Sequence, residues 1–310
     1  MADPKAGQAP RPTSPVDVAQ VQELLGSGDY IAGRKLATVV YLALQMGRPM
    51  LLEGEAGVGK TEIANVLART LDRELIRLQC YEGLDLASAA YEWNYPRQMV
   101  AIRVAEALGK AADIAGSLYG REYLVARPLL RALEPHASGA PVLLIDEIDR
   151  ADEPFEAFLL ELLSDYQLSI PEFGTVKADQ PPIVVITSNR TREVHDALRR
   201  RCLYHWVDYP DFEAETRIVS VKSPGTGENL RAQLIAFVHR LREQDLFKSP
   251  GVAETIDWAN ALARLDVVTL HADVVNDTLG LLLKYQDDIA RIQGSEAAQI
   301  LADIETGTQA

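Results

Sequence analysis

Gly54-Glu55-Ala56-Gly57-Val58-Gly59-Lys60-Thr61 is the stretch where residue type and spacing point most directly to chemistry. Its glycines let backbone N–H groups curl around an anion where a Cβ would obstruct them. The apolar run Met50 to Leu52 precedes the loop, and Ile63, Val66 and Leu67 repeat after it at helical spacing. The loop therefore joins a buried strand to a helix whose N-terminal dipole favours phosphate. Lys60 brings a point charge to the β- and γ-phosphates, and the Thr61 hydroxyl can ligate Mg²⁺. Residues Gly54 to Thr61, with Glu62 next in line, read as the binding stretch for a nucleoside triphosphate. ATP and Mg²⁺ are the cofactors this implies.

Val142-Leu143-Leu144-Ile145-Asp146-Glu147-Ile148-Asp149 is the second such stretch. An unbroken apolar run fits a strand covered on both faces, as in a parallel sheet. Carboxylates at its C-terminal end stand where open α/β sheets place their sites. Asp146 there can serve the Mg²⁺ shell, and Glu147 can polarise a water for attack on phosphate, a role worth about 10²–10⁴ in rate. Pro182 to Asn189 repeats the pattern and ends in an amide, so Asn189 is expected between the two earlier strand ends, orienting the water. Arg199-Arg200-Arg201 interrupts an acidic chain just before the apolar run Cys202 to Val207. Three adjacent arginines point in different directions, so they cannot all serve one site.

The elements that must position these residues follow from periodicity. Helices are expected from Val16 to Leu25, Arg34 to Gln45, Met99 to Ser117, Pro128 to Leu133 and Phe155 to Leu163. A strand is expected at Leu75 to Leu78 and a hairpin around Glu172-Phe173-Gly174. Tyr30 and Ile31, between the first two helices, fall in the segment that in P-loop ATPases often lies over the adenine, so they are candidates for contact with the base, with plain core packing as the alternative. The aromatic stretch Tyr91-Glu92-Trp93-Asn94-Tyr95-Pro96 fits neither element cleanly and reads as an exposed aromatic-tipped insertion, with a buried cluster as the alternative. Beyond Pro210 the pattern is helical: Phe212 to Val219, Leu230 to Gln244, Val252 to Leu265 and Val268 to Tyr285. The expected division is a disordered tail over 1–15, an α/β nucleotide-binding core over 16–210, and a helical lid with a C-terminal tail over 211–310. The fold class is α/β with a central parallel sheet and a smaller all-helical domain.

Composition narrows the function further. The net charge is −14, from 45 acidic and 31 basic residues, which argues against general affinity for nucleic acid. Two cysteines without metal-ligand spacing support neither a disulfide framework nor a zinc site. The N-terminus has no signal-peptide core, and no apolar run nears the ~20 residues of a membrane span. A cytoplasmic protein is expected.

With these stretches in place the chain resembles the AAA+ ATPases, and among them the MoxR group, over Val16 to Tyr285. The resemblance rests on Gly54 to Thr61, on Leu143 to Arg150, on the hairpin before Pro182, and on Thr187-Ser188-Asn189-Arg190. It implies that Asn189 is the first sensor and that the segment Leu198 to Cys202 carries an arginine finger, Arg201 first and Arg200 second. It also implies a hexameric ring with ATP at subunit boundaries, and a chaperone that remodels or matures client proteins, often metalloenzymes. A von Willebrand factor A domain protein commonly accompanies it. Arg199 to Leu203 and Pro250 to Thr255 are similar to the branch associated with carbon monoxide dehydrogenase and related molybdenum hydroxylases. The aromatic insertion and the hairpin correspond to that clade's two inserts. One departure stands out: Ser249 to Thr255 lacks the second-sensor arginine, Glu254 takes about its place, and coupling through Arg264 is an alternative. The rival reading from another class is a nucleic-acid-directed AAA+ motor or loader.

Overall fold

The computed structural model describes residues 15–109 and 116–307. The expected tail over 1–15, apart from Pro15, lies outside them, as do residues 110–115 of the helix expected to reach Ser117 and the last three residues. Contacts divide the chain into two compact units. Of the described residues, one comprises those up to Leu24, Gly33–Glu53 and those within Thr61–Trp206; the other comprises Leu25–Ala32, Gly54–Lys60 and those from Val207 onward.

The first unit is built on a parallel sheet. Its strands are β1 (Met50–Glu53), β2 (Leu75–Gln79), β5 (Val142–Asp146), β8 (Ile183–Ser188) and β9 (Leu203–Trp206), in the order β2-β5-β8-β1-β9. Leu51, Leu143, Ile145 and Ile186 are fully buried, because helices must cover both faces of a parallel sheet. The register sets Gln79 beside Asp146, and Glu53 beside both Ser188 and Trp206. The order also sets β8 between β5 and β1, so Asn189, just past β8, lies between those strand ends. The fold class is therefore α/β with a central parallel sheet, followed by a helical region.

The aromatic stretch differs from expectation. Tyr91–Trp93 forms β3, paired antiparallel with β4 (Leu124–Ala126). Asn94 then caps the helix Tyr95–Ala107 by accepting the Arg97 N–H, with Pro96 in the first turn. Trp93 is buried, Tyr91 half-buried and only Tyr95 well exposed. The stretch is thus an ordered strand and helix start, and the pairing partner that orders it lies some thirty residues downstream. The hairpin forms as expected, with β6 (Gln167–Ile170) antiparallel to β7 (Gly174–Lys177).

Beyond Val207 the second unit is helical: Phe212–Lys222, Glu228–Arg242, Val252–Arg264, Ala272–Leu282, Gln286–Ile292 and Ser295–Gly307. Its core gathers Leu234, Phe237, Trp258, Val275, Leu279 and Ile292. The buried Trp258 indole donates to Thr278 Oγ1 at 2.8 Å. The helix expected from Val268 starts only at Ala272, since Val267, Val268 and Thr269 are all β-branched and disfavour helix. The chain past Tyr285, expected to be a tail, forms two further helices turned at Gly294, whose φ is +85°. Ala297 and Ile300 there join the core.

Candidate nucleotide site

In the second unit the loop Gly54–Lys60 has the backbone its sequence requires. Gly54, Gly57 and Gly59 have φ of 156°, 80° and 92°, a region that side chains with a Cβ rarely adopt. Lys60 is buried, and its Nζ donates to the carbonyls of Gly54 at 2.7 Å and Glu55 at 2.6 Å. Val58 is buried, Ala56 half-buried and Glu55 exposed. Tyr30 packs its ring 3.8 Å from where a Cβ on Gly59 would stand. Ile31 is half-buried beside it in sequence.

The segment around Glu254 also meets this loop. Gly57 O accepts from the Ala253 N–H at 3.1 Å. A Cβ on Gly251 would lie 2.8 Å from Ala56 O, and one on Gly57 would lie 2.8 Å from Glu254 Oε2. Glu254 itself accepts the Gly251 N–H at 3.1 Å. The residue facing the loop here is a carboxylate. Arg264 does not take over its place: it closes the 13-residue helix that begins at Val252, about 18 Å along the axis.

In the first unit Thr61 donates from Oγ1 to Asp146 Oδ1 at 3.1 Å, and Thr187 Oγ1 donates to the same oxygen at 2.6 Å. The Asp146 Oδ2 pairs with Arg77. Hydroxyl and carboxylate oxygens are what Mg²⁺ selects, so Thr61 and Asp146 fit that ion. The N-terminus of the helix Lys60–Thr70 fits a phosphate. Glu62, in that helix's first turn, accepts from Asn65 Nδ2 at 2.9 Å.

Glu147 stands just past β5 in left-handed backbone, φ 56° and ψ 54°, with its N–H donated to Thr187 Oγ1 at 2.9 Å. Three donors surround the Glu147 carboxylate: Gln79 Nε2 at 3.1 Å, Asn189 Nδ2 at 3.4 Å and Arg150 Nε at 2.8 Å. Asp149 is buried and accepts from the Asn189 N–H, the Thr191 N–H and the Thr191 hydroxyl. Burial works against its charge, but the Thr191 and Asn189 bonds prevail and hold its carboxyl below the ordinary value. Burial, with Asp146, Asp149 and Glu147 nearby, pushes the Cys80 thiol up to about 12, so it stays protonated and inert.

The structure thus brings Thr61, Asp146, Glu147 and Asn189 together. Arg200 and Arg201 lie elsewhere, exposed on the short helix Asp196–Arg201. Arg200 pairs with Asp196 at 2.7 Å, and the Arg201 side chain has no ion pair among the described residues. Sequence reasoning missed Gln79, Arg77, Thr187 and Asp149. For Gln79 a signal exists: a polar residue ending an apolar strand, as at Asp146 and Asn189. Only the strand order shows which neighbour it serves.

Comparisons with known proteins cover the same stretch of the chain. Residues 49–202 match the AAA domain of the dynein-related subfamily. Over this stretch the chain is similar to an AAA domain. The match runs from the residue before β1 to the residue before β9, and so takes in the phosphate loop, Asp146, Glu147, Asn189 and the arginine helix. The gas vesicle ATPase GvpN of Haloferax mediterranei is 24% identical over 269 residues, 83% of this chain and 75% of its own. An uncharacterized protein of Staphylococcus saprophyticus is 26% identical over 238 residues, 73% of this chain and 80% of its own. Among solved structures, the RuvB Holliday junction branch migration motor of Thermotoga maritima superposes with a TM-score of 0.46 at 17% identity, over 84% of this chain and 69% of that one.

Proposed function

We propose that this protein hydrolyses ATP with Mg²⁺ and, as a MoxR-type chaperone in a hexameric ring, uses the energy to remodel or mature a client protein. The observation that carries the ATPase reading is the Glu147 carboxylate, held by Gln79, Asn189 and Arg150 one residue beyond the Asp146–Thr61 pair. Bound ATP supplies the γ-phosphate, and Mg²⁺ neutralises charge on its oxygens. The N–H groups of Gly57 to Lys60 and the Lys60 ammonium bind the phosphates. Thr61 and Asp146 hold the ion. Glu147 takes the proton from the attacking water while Asn189 orients that water. Arg201, with Arg200 beside it, faces the phosphates of the neighbouring subunit, which is why neither belongs to the cluster around Glu147. Tyr30 and Ile31 contact the base.

On this reading the division runs as the sequence suggests, with the core over 16–210 and the helical lid beyond. The client is a metalloenzyme, a von Willebrand factor A domain protein accompanies the ring, and the setting is the cytoplasm. No helix among the described residues is long and apolar enough to cross a membrane.

A Glu147→Gln variant, which binds ATP and cannot hydrolyse it, tests the chaperone reading. In ATP it retains a discrete protein client that ADP releases. Retention of DNA or RNA in its place, with turnover stimulated by nucleic acid, identifies a nucleic-acid motor and overturns the reading.

A further inference from the structure

The short helix that carries the arginines is fastened to the strand that carries the phosphate loop. Arg48, two residues before β1, donates from Nε to Arg201 O at 3.1 Å, and from Nη2 to Arg200 O at 3.0 Å and Arg201 O at 2.8 Å. These are terminal carbonyls with no partner inside the helix. At the other end of β1, Glu53 forms an ion pair with Arg199. The Arg199 guanidinium also lies over the Tyr204 ring, 5.3 Å from its centroid, on the adjoining strand β9. The next residue in the chain after Glu53 is Gly54, first of the phosphate loop.

Glu53 is an unusual choice for packing alone. It is fully buried, and its Oε1 has no hydrogen-bond partner among the described residues. A buried ion pair is often no more stabilising than apolar residues of the same shape. What the pair adds is direction, because the planar guanidinium fixes Arg199 and with it the rotation of the whole short helix. Arg199 is thereby committed to its own subunit, while Arg200 and Arg201, on other faces, stay exposed.

We propose that Arg48 and Glu53 are positioning residues that make the arginine helix and the phosphate-loop strand one body, so that Arg201 is presented to the neighbouring subunit in fixed register. The inference rests on the reading that Arg201 acts across the subunit boundary. It gives the P-loop strand of each subunit a direct mechanical link to the site of the next.

Two-component rings test it. The acceptor is Arg201→Ala, with its own phosphate loop and Glu147 intact. The first donor is Glu147→Gln, dead in its own site with its arginines intact; mixed with the acceptor it restores turnover. The second donor adds Glu53→Gln, and the third adds Arg48→Ala in place of Glu53→Gln. Each of these co-assembles and binds ATP like the first, yet restores an acceptor kcat lower by about 10²-fold, the scale of a misplacement near 1 Å, with acceptor KM unchanged. A role in stability alone gives lower melting temperatures with equal turnover per assembled boundary, and that result overturns the proposal. Should the buried Glu53→Gln donor fail to fold, Arg48→Ala at a half-buried position decides the matter by the same comparison. If the first donor restores nothing although it co-assembles, the trans-acting arginine reading falls and takes this inference with it. If all three donors restore equally, this inference alone falls.

Discussion

Gln79 and Glu147 meet across neighbouring strands, the Gln79 amide donating to Glu147 Oε2 at 3.1 Å. With Asn189 and Arg150 it fixes where the carboxylate points, and a base must point at its water before its pKa matters. Gln79→Ala is expected to lower kcat by up to about 10²-fold with ATP affinity unchanged, because Gln79 touches the base and not the phosphate loop. Steady-state turnover beside equilibrium ATP binding checks this. Equal loss in both would mean the substitution damaged the fold.

Lys60 and Glu147 should separate binding from hydrolysis. Lys60 interacts with phosphate charge already present in the bound ground state, whereas Glu147 is needed only as water attacks. Lys60→Ala is expected to abolish ATP binding. Glu147→Gln keeps it and loses turnover by about 10²–10⁴. Titration with a fluorescent ATP analogue, followed by phosphate release, reads both. Wild-type affinity in Lys60→Ala would remove the phosphate loop from the account.

Nucleotide should control assembly. If Arg201 reaches a neighbour's γ-phosphate, ATP binds the ring better than the separated subunit, and only such differential affinity shifts an equilibrium. Light scattering with a non-hydrolysable ATP analogue is expected to show a hexamer that loosens in ADP. Monomers at micromolar protein in the analogue would contradict this.

Acid should weaken the helical region through Glu215. This carboxylate is fully buried and accepts from both terminal guanidinium nitrogens of Arg242 at 2.7 and 2.8 Å and from the Thr255 hydroxyl at 2.9 Å, with His239 Nε2 at 2.9 Å. Burial alone would raise it, but the bonds to His239 and Arg242 outweigh that and hold it below its ordinary 4.5. A carboxyl depressed in the folded state stabilises fully above its unfolded value. That stability is lost as pH falls through the lower, folded one. The melting temperature should therefore drop as pH falls below about 4.5, and Glu215→Gln should flatten that limb. Arg242→Ala, which strands the buried charge, is expected to cost about 3–5 kcal/mol.

What could be read from the sequence was what is local. The phosphate loop announces itself because strand, glycines, Lys60 and helix start are contiguous, and Asp146 with Glu147 follows its own apolar run. The features that were missed depend on partners distant in the chain. Gln79 has meaning only once β2 is set beside β5. Trp93 is ordered by pairing with Leu124, which no window around Tyr91 contains. The Glu53–Arg199 pair joins residues 146 positions apart, and Glu53 reads in sequence merely as the polar end of a strand. Of the last two helices, the first has only 7 residues and Gly294 separates it from the second, so no continuous helical period marks the pair. Glu254 was placed near the missing sensor by resemblance, and it faces Gly57 in the fold, whereas Arg264 lies a helix length away.

The central claim is that ATP hydrolysis is completed by an arginine from the adjoining subunit. A finger supplied in trans is typically worth about 10³–10⁵ in turnover, far more than any exposed surface arginine. Arg201→Ala should bind ATP and fail to hydrolyse it, Arg200→Ala should be less impaired, and Arg199→Ala least. Lys60→Ala, with an intact Arg201, should also be inactive. The most direct measurement mixes Arg201→Ala with Lys60→Ala and follows phosphate release. Boundaries that pair an intact phosphate loop with an intact Arg201 then form, and turnover is predicted to return in part. A mixture that demonstrably co-assembles and stays as inactive as its two components would contradict the account.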